Sequence, residues 1–301
     1  MKVLIAGGSG LIGKALTNRL LQNGDEVWIL SRTPDRMTLP KGANAIGWDG
    51  KTQGSWVEVG SNLDAWVNLT GENLGAGRWT KSRKARIRAS RLDSGQVMVA
   101  ALTATKMRPG LFIQASAVGF YGTRSQIPLD ETSPAGDDYL ARLAVEWEAS
   151  TAPVDALGIR RVVIRTGVVL DKEHGALPPM VLQAKLFAGG PIGNGQQWLS
   201  WIHLADEVGA IMHLLHSPIA SGVYNLTAPH PATNADFMRT LCQLMKRPYW
   251  LPVPAFALRL LLGEMSTLVV DGQRVLPNRL IAGGFTFQYP ELKAALMSAL
   301  E

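Results

Sequence analysis

The feature that most constrains the fold is a run of spaced glycines directly after a short apolar segment. Residues 2–6 read KVLIA, and Gly7, Gly10 and Gly13 follow at intervals of three. The apolar run predicts a buried strand, and the segment GLIGKALTNRLLQNG has the apolar spacing of a helix. In such a strand-to-helix turn, Gly7 permits the turn, Gly10 lets a pyrophosphate approach the backbone, and Gly13 lets the helix pack closely. The loop therefore predicts a dinucleotide site at the amino end of the first helix.

The end of the second predicted strand distinguishes between the two common dinucleotides. NAD sites place Asp or Glu there to bind the ribose 2′-hydroxyl. The segment VWILSR ends instead in Ser31 and Arg32. A guanidinium pairs with a 2′-phosphate, which a carboxylate would repel. The sequence therefore predicts NADP as the cofactor.

Predicted strands and helices continue to alternate through the first half of the chain. EVWIL, NAIGW, DAWVNL, LFIQAS and RRVVIRTG read as strands, and two long helical segments separate the last three. This alternation predicts an α/β fold, a Rossmann-type doubly wound parallel sheet. We assign residues 1–166 to the NADP-binding domain, with 200–226 returning to it. Residues 167–301, where Pro and Gly become frequent, are predicted to form a smaller mixed C-terminal domain for the substrate.

Composition excludes several classes of protein. With 301 residues, 47% hydrophobic and 18% charged, the chain is globular rather than disordered. Its one cysteine, Cys242, excludes an intramolecular disulfide framework and suits a reducing compartment. No uncharged stretch is long enough to span a membrane, so we expect a cytoplasmic protein with no membrane partner. The net charge of +6 suits an anionic ligand.

Two segments, GGSGLIG and LSWIHLADEVGAI, resemble the extended short-chain dehydrogenases/reductases. NLTGENLGAGRWT, ASAVGFYG, GGPIGNGQQWLSWIH, VPAFALRLLLGEM and GQRVLPNRLIAGGFTFQYP resemble an atypical subfamily of these, the epimerase-family proteins, and the resemblance extends from Met1 to the last helix. The resemblance implies a cofactor site at the following positions: Gly7, Ser9, Gly10, Leu11, Ile12, Gly13, Ser31, Arg32, Trp48, Asp49, Leu69, Thr70, Gly71, Thr166 and Gly167.

The chain departs from the catalytic pattern of that superfamily. Its enzymes use a Ser or Thr together with Tyr-x-x-x-Lys, in which Lys lowers the pKa of Tyr and Tyr transfers a proton. Here Leu143 stands four residues after Tyr139, where Lys is expected. In the register shifted by one residue, Arg142 takes the place of Lys and Asp138 that of Tyr. Neither register supplies both groups.

The serine of the pattern is displaced as well. An ungapped alignment places Ala117 at the catalytic hydroxyl and Ser116 one position before it. Neighbouring residues of a strand face opposite sides, although the loop at the strand end could change this. Ser116 and Tyr139 are the predicted catalytic residues, and Tyr121 is a further candidate for the proton donor. For Tyr139, packing in the core is an equal alternative.

The substrate side is predicted from three residues. Arg78, at the start of a helix, could reach an anionic substrate, and Tyr121 and Trp198 are expected to border the substrate pocket. His203 is expected to be structural, because no second His or Cys stands near it to complete a metal site. The prediction therefore includes no metal.

Seven basic residues lie in the segment RWTKSRKARIRASR. Lys81, Lys84, Arg88 and Arg91 would form a cationic stripe on a helix. Such a stripe could bind nucleic acid phosphates, but Trp79 alone gives little support for base stacking. A solvated face, or a contact in a homodimer, is the preferred interpretation.

These patterns lead to three hypotheses about function. The first is an NADP(H)-dependent oxidoreductase or epimerase that acts on a small polar substrate, anionic or sugar-like. The second is a non-catalytic NADPH-binding regulator, in keeping with the cell-division label that some members of the resembled subfamily carry. The third is nucleic-acid binding through the basic helix.

Overall fold

In the computed structural model, which describes residues 1–123 and 127–301, seven strands form one parallel sheet and six short strands form three small sheets. The strands are β1 (Lys2–Ala6), β2 (Glu26–Ser31), β3 (Ala43–Gly47), β4 (Ala65–Asn68), β5 (Leu111–Ala117), β6 (Pro128–Leu129), β7 (Arg160–Thr166), β8 (Val168–Leu170), β9 (Trp198–Leu199), β10 (Trp201–His203), β11 (Gly222–Leu226), β12 (Ala232–Thr233) and β13 (Arg274–Val275).

The helices follow most of the strands of the main sheet. They are α1 (Leu11–Gln22), α2 (Trp56–Gly60), α3 (Lys81–Ala104), α4 (Tyr139–Ala149), α5 (Leu177–Lys185), α6 (Leu204–His216), α7 (Asn234–Leu244), α8 (Ala255–Leu262), α9 (Thr267–Val270), α10 (Asn278–Ala282) and α11 (Leu292–Leu300). Single 3₁₀ turns occur at Pro34–Arg36, Val118–Tyr121, Ala152–Leu157 and Gly263–Ser266. Across the described ranges, none of these helices combines the length and apolarity that crossing a bilayer requires.

The main sheet has the strand order β11-β7-β5-β4-β1-β2-β3. All of its neighbouring strands run parallel, so the predicted doubly wound Rossmann fold is confirmed. Strand β1 pairs with β2 on one side and with β4 on the other. The chain order reverses at β1, and ligands of such sheets bind outside the carboxyl ends of the strands at that point.

Apolar side chains cover both faces of the sheet. In β1, Val3 and Ile5 belong to one buried cluster with Leu16 of α1, whereas Leu4 belongs to a second cluster with Met98 of α3. Because successive side chains of a strand point to opposite faces, the nearly continuous apolar sequence of β1 is required to fill both layers. These layers hold the carboxyl ends of β1 and β4 in place.

The second half of the chain is built from smaller sheets. Strand β8 pairs with β10, β9 with β12, and β6 with β13, and helices α7 and α11 contribute to a separate apolar cluster around Trp201 and Phe237. Of the segment predicted to return to the first domain, residues 200–226, α6 packs on α1 and β11 completes the main sheet. The domain boundary after residue 166 stays a prediction.

Candidate cofactor cleft and adjoining cavity

The glycine loop brings three backbone segments into close contact. Gly7 has a φ of +81°, and a Cβ atom on it would lie 2.8 Å from the backbone carbonyl of Leu69. A Cβ on Gly13 would lie 2.3 Å from the carbonyl oxygen of Gly7. Gly10, whose N–H donates to that same oxygen at 3.0 Å, precedes Leu11 and has no side chain to cap α1. The backbone N–H groups of the first turn are therefore left to bind an anion.

A cleft of about 520 Å³ contains this loop and follows the carboxyl ends of β4, β1 and β2. Leu11, Ile12 and Gly13 lie in the first turn of α1 rather than in the cleft wall. Most of the other positions implied by the family resemblance line the cleft together: Gly7, Ser9, Gly10, Ser31, Arg32, Trp48, Asp49, Leu69, Thr70 and Gly71.

Two cations lie at the end of the cleft that is formed by β2 and the loop after β3. They are Arg32, which is exposed, and Lys51, which the sequence reasoning did not select. The carboxylate of Asp49 accepts hydrogen bonds from the N–H groups of Lys51 and Thr52, each at 2.8 Å, and from the Thr52 hydroxyl at 2.9 Å. These bonds lower the pKa of Asp49 and turn its oxygens toward its own loop. The cleft therefore offers positive charge at this end.

The floor of the cleft is fixed by a chain of hydrogen bonds after β4. Asn68 is fully buried, and its amide donates to the Gln114 side chain at 2.9 Å. Its carbonyl oxygen lies 2.5 Å from the Thr70 hydroxyl, which lies 2.6 Å from the hydroxyl of Ser94 on α3. The segment Leu69–Gly71 is thereby held beneath the cleft, so it presents a fixed surface to a ligand.

A smaller cavity of about 200 Å³ lies beyond the cleft, at the carboxyl ends of β5 and β7. Thr166, Gly167 and Trp198, all three predicted for the site, line it. Its titratable lining groups, within the described ranges, are Arg91, Asp138 and Asp271, and it has no Tyr, Lys, His, Cys or Glu there. Most of its wall is apolar, with Val118, Leu140, Leu143, Ala144, Met180 and Leu199 as examples.

Ser116 and Tyr121 belong to a buried hydrogen-bond network instead of the cavity wall. The Ser116 hydroxyl donates to Glu148 at 2.6 Å, and Glu148 forms a two-point salt bridge with Arg165 at 2.8 and 2.9 Å. Arg165 donates to the Tyr121 hydroxyl at 3.0 Å, which in turn donates to Asn225 at 2.7 Å. Burial raises the pKa of Tyr121. These positions argue against substrate contact by either residue.

Tyr139 also lies outside the cavity wall. Its ring packs on Trp79 with centroids 5.2 Å apart, and the Lys84 ammonium lies 4.5 Å from its ring centroid. Its hydroxyl is buried and has no hydrogen-bond partner among the described residues. Burial raises the pKa of Tyr139, against the opposing effect of the Arg91 charge. This placement corresponds to the alternative in which Tyr139 packs in the core, and its catalytic role stays a prediction.

The neighbouring residue, Asp138, does line the cavity. One of its carboxylate oxygens accepts the N–H of Ala141 at 2.8 Å and so caps α4. Arg142, four residues later, is exposed and donates to the carbonyl oxygen of Asp137. In the register in which Asp138 and Arg142 replace the Tyr and Lys of the motif, only Asp138 therefore lies at the cavity.

Arg91 is a site residue that the sequence reasoning assigned to a solvated stripe. It is 7% exposed, and burial lowers its pKa to about 10. Its guanidinium donates to the carbonyl oxygens of Glu72 and Ile87, at 3.2 and 3.0 Å. Position 91 belongs to the buried row of Ile87, Ser94 and Met98 at helical spacing. That spacing could have identified Arg91 as a buried residue.

The other cations of the basic helix are mostly paired within the chain. Arg78 is exposed beside Gly263 and is not part of the cavity wall. Four further basic side chains form ion pairs: Arg83 and Arg86 with Glu72, Arg88 with Glu146, and Lys84 with Glu264. Pairing reduces the charge that is available to phosphates, which weakens the nucleic-acid hypothesis.

A buried carboxyl group that the sequence reasoning did not select lies next to Thr166. Glu207 has no exposed surface, and one of its oxygens accepts the Thr166 hydroxyl at 2.8 Å. The other oxygen has no partner in the described part of the chain. Burial raises the pKa of Glu207 to about 8.

His203 has local contacts that suit a structural role. Its Nδ1 accepts the N–H of Ala205 at 3.1 Å, its ring lies 4.0 Å from that of Tyr289, and burial lowers its pKa. Within residues 1–123 and 127–301, no group of three or more His, Cys, Asp and Glu side chains is arranged to hold a metal ion.

Known proteins are similar to this chain over nearly its whole length. The epimerase family protein YfhF of Bacillus subtilis is 41% identical over 297 residues, which cover 98% of this chain and 97% of that protein. A chloroplastic SDR39U1 homolog of Arabidopsis thaliana, also an epimerase family protein, is 38% identical over 304 residues and covers 100% of this chain and 87% of its own length.

Solved structures match as well. The crystal structure of the human epimerase family protein SDR39U1 (isoform 2) with NADPH has a TM-score of 0.89 and 36% identity, and the match covers 100% of this chain and 99% of that chain. A UDP-glucuronic acid 4-epimerase from Bacillus cereus, in complex with UDP-glucuronic acid and NAD, has a TM-score of 0.79 at 16% identity, over 100% of this chain and 98% of that chain, and supports the fold alone.

Two family models divide the chain in a way that follows the structure. Residues 253–299 match a domain described as "Domain of unknown function (DUF1731)", and they supply one wall of the cavity through residues 267–269 and 271–273. Residues 3–227 match the model described as "NAD dependent epimerase/dehydratase family" and include the glycine loop and the cleft. The chain therefore belongs to the NAD dependent epimerase/dehydratase family, as an epimerase family protein with a DUF1731 domain.

Proposed function

We propose that the chain binds NADPH in the cleft and catalyses hydride transfer to or from a small substrate in the adjoining cavity. The observation that carries this proposal is one continuous surface with the glycine cradle in the middle and Arg32 and Lys51 at one end. At its other end, Gly71 of the cleft packs closely against Arg91 of the cavity wall. The buried, unpaired Cys242 suits a reducing compartment, and the proposal therefore places the reaction in the cytoplasm.

The residues present fit each part of the cofactor. The free N–H groups in the first turn of α1 would hold the pyrophosphate. Gly13 lets this end of the helix pack closely on the glycine loop, because a Cβ at that position would fill the space between them. Arg32 and Lys51 would pair with the 2′-phosphate, and the segment Leu69–Gly71 would support the sugar and phosphate. Thr166 and Gly167 would border the nicotinamide. The human relative crystallised with NADPH supports this assignment.

The chemistry that the cavity supports is redox chemistry with one proton transfer. When bound, NADPH supplies a hydride to an electron-poor carbon. Reduction of a carbonyl also needs a proton at oxygen, and Asp138 is the lining group that we propose carries it from water. In the reverse direction, the Asp138 carboxylate accepts the proton from an alcohol. The Thr166 hydroxyl already donates to Glu207, so Thr166 would border the nicotinamide without transferring a proton.

A non-catalytic NADPH-binding regulator is the second candidate. The specific observation in its favour is that the described cavity wall has no Tyr or Lys and that Tyr139 lies outside it. A regulator would bind NADPH with the same residues but would not oxidise it in the presence of any metabolite. Epimerisation belongs to the first candidate, because it uses the same hydride transfer in both directions.

The cofactor assignment is tested with a matched pair of arginine variants. Arg32→Ala should weaken NADPH binding by about ten- to 150-fold, since a charge-assisted hydrogen bond contributes about 1.5–3 kcal/mol, and should leave NADH binding unchanged. Isothermal titration calorimetry with both cofactors measures this. Arg36→Ala is the control, because Arg36 is exposed nearby but does not line the cleft. Equal losses for NADPH and NADH, or no heat with either cofactor and the parent chain, would contradict the proposal.

A further inference from the structure

The size of the cavity restricts the substrate, provided that the proposed function holds. Its volume of about 200 Å³ is below the range of about 300–1,000 Å³ that is usual for ligand pockets. The proposed position of the nicotinamide, beside Thr166 and Gly167, takes up part of that volume. A compact molecule can occupy the remainder, whereas a nucleotide sugar would need a second large chamber.

Several polar side chains of the wall are already hydrogen-bonded within the protein, whereas the Trp147 indole N–H and the Thr267 hydroxyl have no partner among the described residues. The Ser200 hydroxyl donates to the carbonyl of Gln273 at 2.7 Å. The Gln197 amide donates to the carbonyl of Val269 at 3.1 Å, and the Asn234 carbonyl accepts the N–H of Ile192 at 2.8 Å. A sugar would have to leave several hydroxyls without partners here, and each unsatisfied polar group costs about 1–3 kcal/mol.

The charges of the wall also oppose a diphosphate. The titratable lining groups among the described residues are Arg91, Asp138 and Asp271, and Asp271 is paired with Arg259 at 3.7 Å. Arg91 donates to the backbone carbonyls of Glu72 and Ile87. The wall therefore offers a dianionic group one guanidinium, which is already hydrogen-bonded, and places the Asp138 carboxylate against it.

One hydroxyl in the wall has no hydrogen-bond partner. The Thr267 Oγ1 atom is buried and unpaired among the described residues, and Thr267 lines the cavity. Thr267 begins the segment 267–273, whose close packing is marked by Gly272: a Cβ there would lie 2.1 Å from the carbonyl oxygen of Trp198. Buried polar atoms are rarely left unpaired without a reason, and a bound ligand oxygen would provide the missing partner.

We propose that the substrate is a compact, mainly apolar carbonyl compound, or its alcohol, and that the Thr267 hydroxyl hydrogen-bonds its one oxygen. This proposal departs from the sequence-based expectation of a polar, anionic or sugar-like substrate. The apolar skeleton lies against Leu140, Leu143 and Met180, and its burial supplies most of the binding free energy. The DUF1731 segment thereby takes part in substrate recognition.

The substrate class is tested by binding, without the need for turnover. Cyclohexanone and benzaldehyde serve as apolar carbonyl probes and UDP-glucose as the nucleotide-sugar probe, each added to the NADPH-loaded full chain. Saturation-transfer NMR, which detects weak ligands, should show binding of at least one carbonyl probe and none of UDP-glucose. Binding of UDP-glucose, or failure of both carbonyl probes to bind, would overturn the proposal.

The Thr267 contact is tested with two variants of the same residue. Thr267→Val, which keeps the shape of the side chain, should weaken binding of the carbonyl probe by about three- to tenfold, the usual effect of losing one neutral hydrogen bond. Thr267→Ser should restore most of the affinity because it keeps the hydroxyl. Equal affinity in Thr267→Val and the parent chain would overturn the assignment of this contact.

Calorimetry with NADPH on the same samples separates this proposal from the proposed function. If NADPH does not bind the parent chain, the proposed function fails. If NADPH binds but the probes behave contrary to the expectation, only the substrate class fails. Thr267 is not among the residues assigned to NADPH, and Val keeps the shape of its side chain, so Thr267→Val should keep the NADPH affinity of the parent chain.

Discussion

The cleft and the cavity lie side by side, but the chain builds them in different ways. The cleft is formed by backbone at the ends of β1, β2 and β4 and by glycines whose Cβ atoms would meet neighbouring backbone, as at Gly13. The cavity is formed by side chains from α3, α4, the ends of β5 and β7, and the segment 267–273. Most of these cavity side chains belong to no local motif. A site built from backbone and glycines can therefore keep its shape while the side chains of an adjoining cavity change.

The catalytic positions illustrate this difference. At the start of α4, the N-cap residue Asp138 lines the cavity, whereas Tyr139, the first residue of the helix, packs on Trp79 outside it. The two neighbouring side chains point in different directions, so the register of the family motif decides which group reaches the substrate. The redox proposal therefore depends on Asp138 rather than on the tyrosine.

The largest effect that we expect is on turnover by Asp138→Asn. Removing the proton carrier should lower kcat by about 10²–10⁴-fold, while NADPH affinity stays unchanged because Asp138 does not line the cleft. Asn caps a helix about as well as Asp, so α4 should remain folded. Stopped-flow measurement of nicotinamide absorbance, with the carbonyl probe that binds best, provides the test.

The neighbouring Asp137 provides the control for this variant. Asp137 is exposed, is not a lining residue, and contributes its backbone carbonyl to Arg142. Asp137→Asn should leave both kcat and NADPH affinity unchanged. A loss of NADPH affinity in Asp138→Asn would show that the cleft and the cavity are not energetically separate.

The sequence was sufficient to predict the fold and the cleft because both depend on local patterns. The apolar run of β1 and the glycine spacing predicted the strand, the turn and the helix in their correct order. Ser116 shows where such reasoning ends: its motif is local, but its hydroxyl is oriented by Glu148, which lies 32 residues away. Thr267 is more than 120 residues from Asp138 although both line the cavity, so no spacing rule could have paired them.

The next largest effect should come from the network beneath the cavity. Glu148→Ala removes the partner of Arg165, whose side chain is 5% exposed. Leaving a buried charge unpaired costs about 3–5 kcal/mol, so the free energy of unfolding in urea should fall by that amount. The NADPH affinity of the protein that remains folded should not change, because the network does not line the cleft.

Glu146 offers a matched control on the same helix. It pairs with Arg88, and the two side chains are 45% and 56% exposed. An exposed pair contributes about 0–1 kcal/mol, so Glu146→Ala should change the unfolding free energy by no more than that. Similar losses from Glu146→Ala and Glu148→Ala would contradict the assignment of a buried, stabilising network.

The last expected effect is a pH dependence at Glu207, which lies beside the cavity residue Thr166. Burial raises the pKa of Glu207 in the folded chain to about 8, from an ordinary value of 4.5. The folded state therefore holds a proton that the unfolded state releases. The stabilisation is fully present below about pH 4.5 and is lost as the pH rises through about 8, with a slope of at most about 1.4 kcal/mol per pH unit.

Glu207→Gln isolates this contribution because Gln is neutral at every pH and can still accept the Thr166 hydroxyl through its carbonyl oxygen. Urea unfolding of both proteins between about pH 5 and about pH 9.5 should give a parent curve that loses stability relative to the variant as the pH rises. The difference between the two curves should become constant above the pKa of the folded state. Parallel curves across this range would mean that Glu207 ionises as it does in the unfolded chain, and Thr166 would then lie beside a charge instead of a neutral carboxyl group.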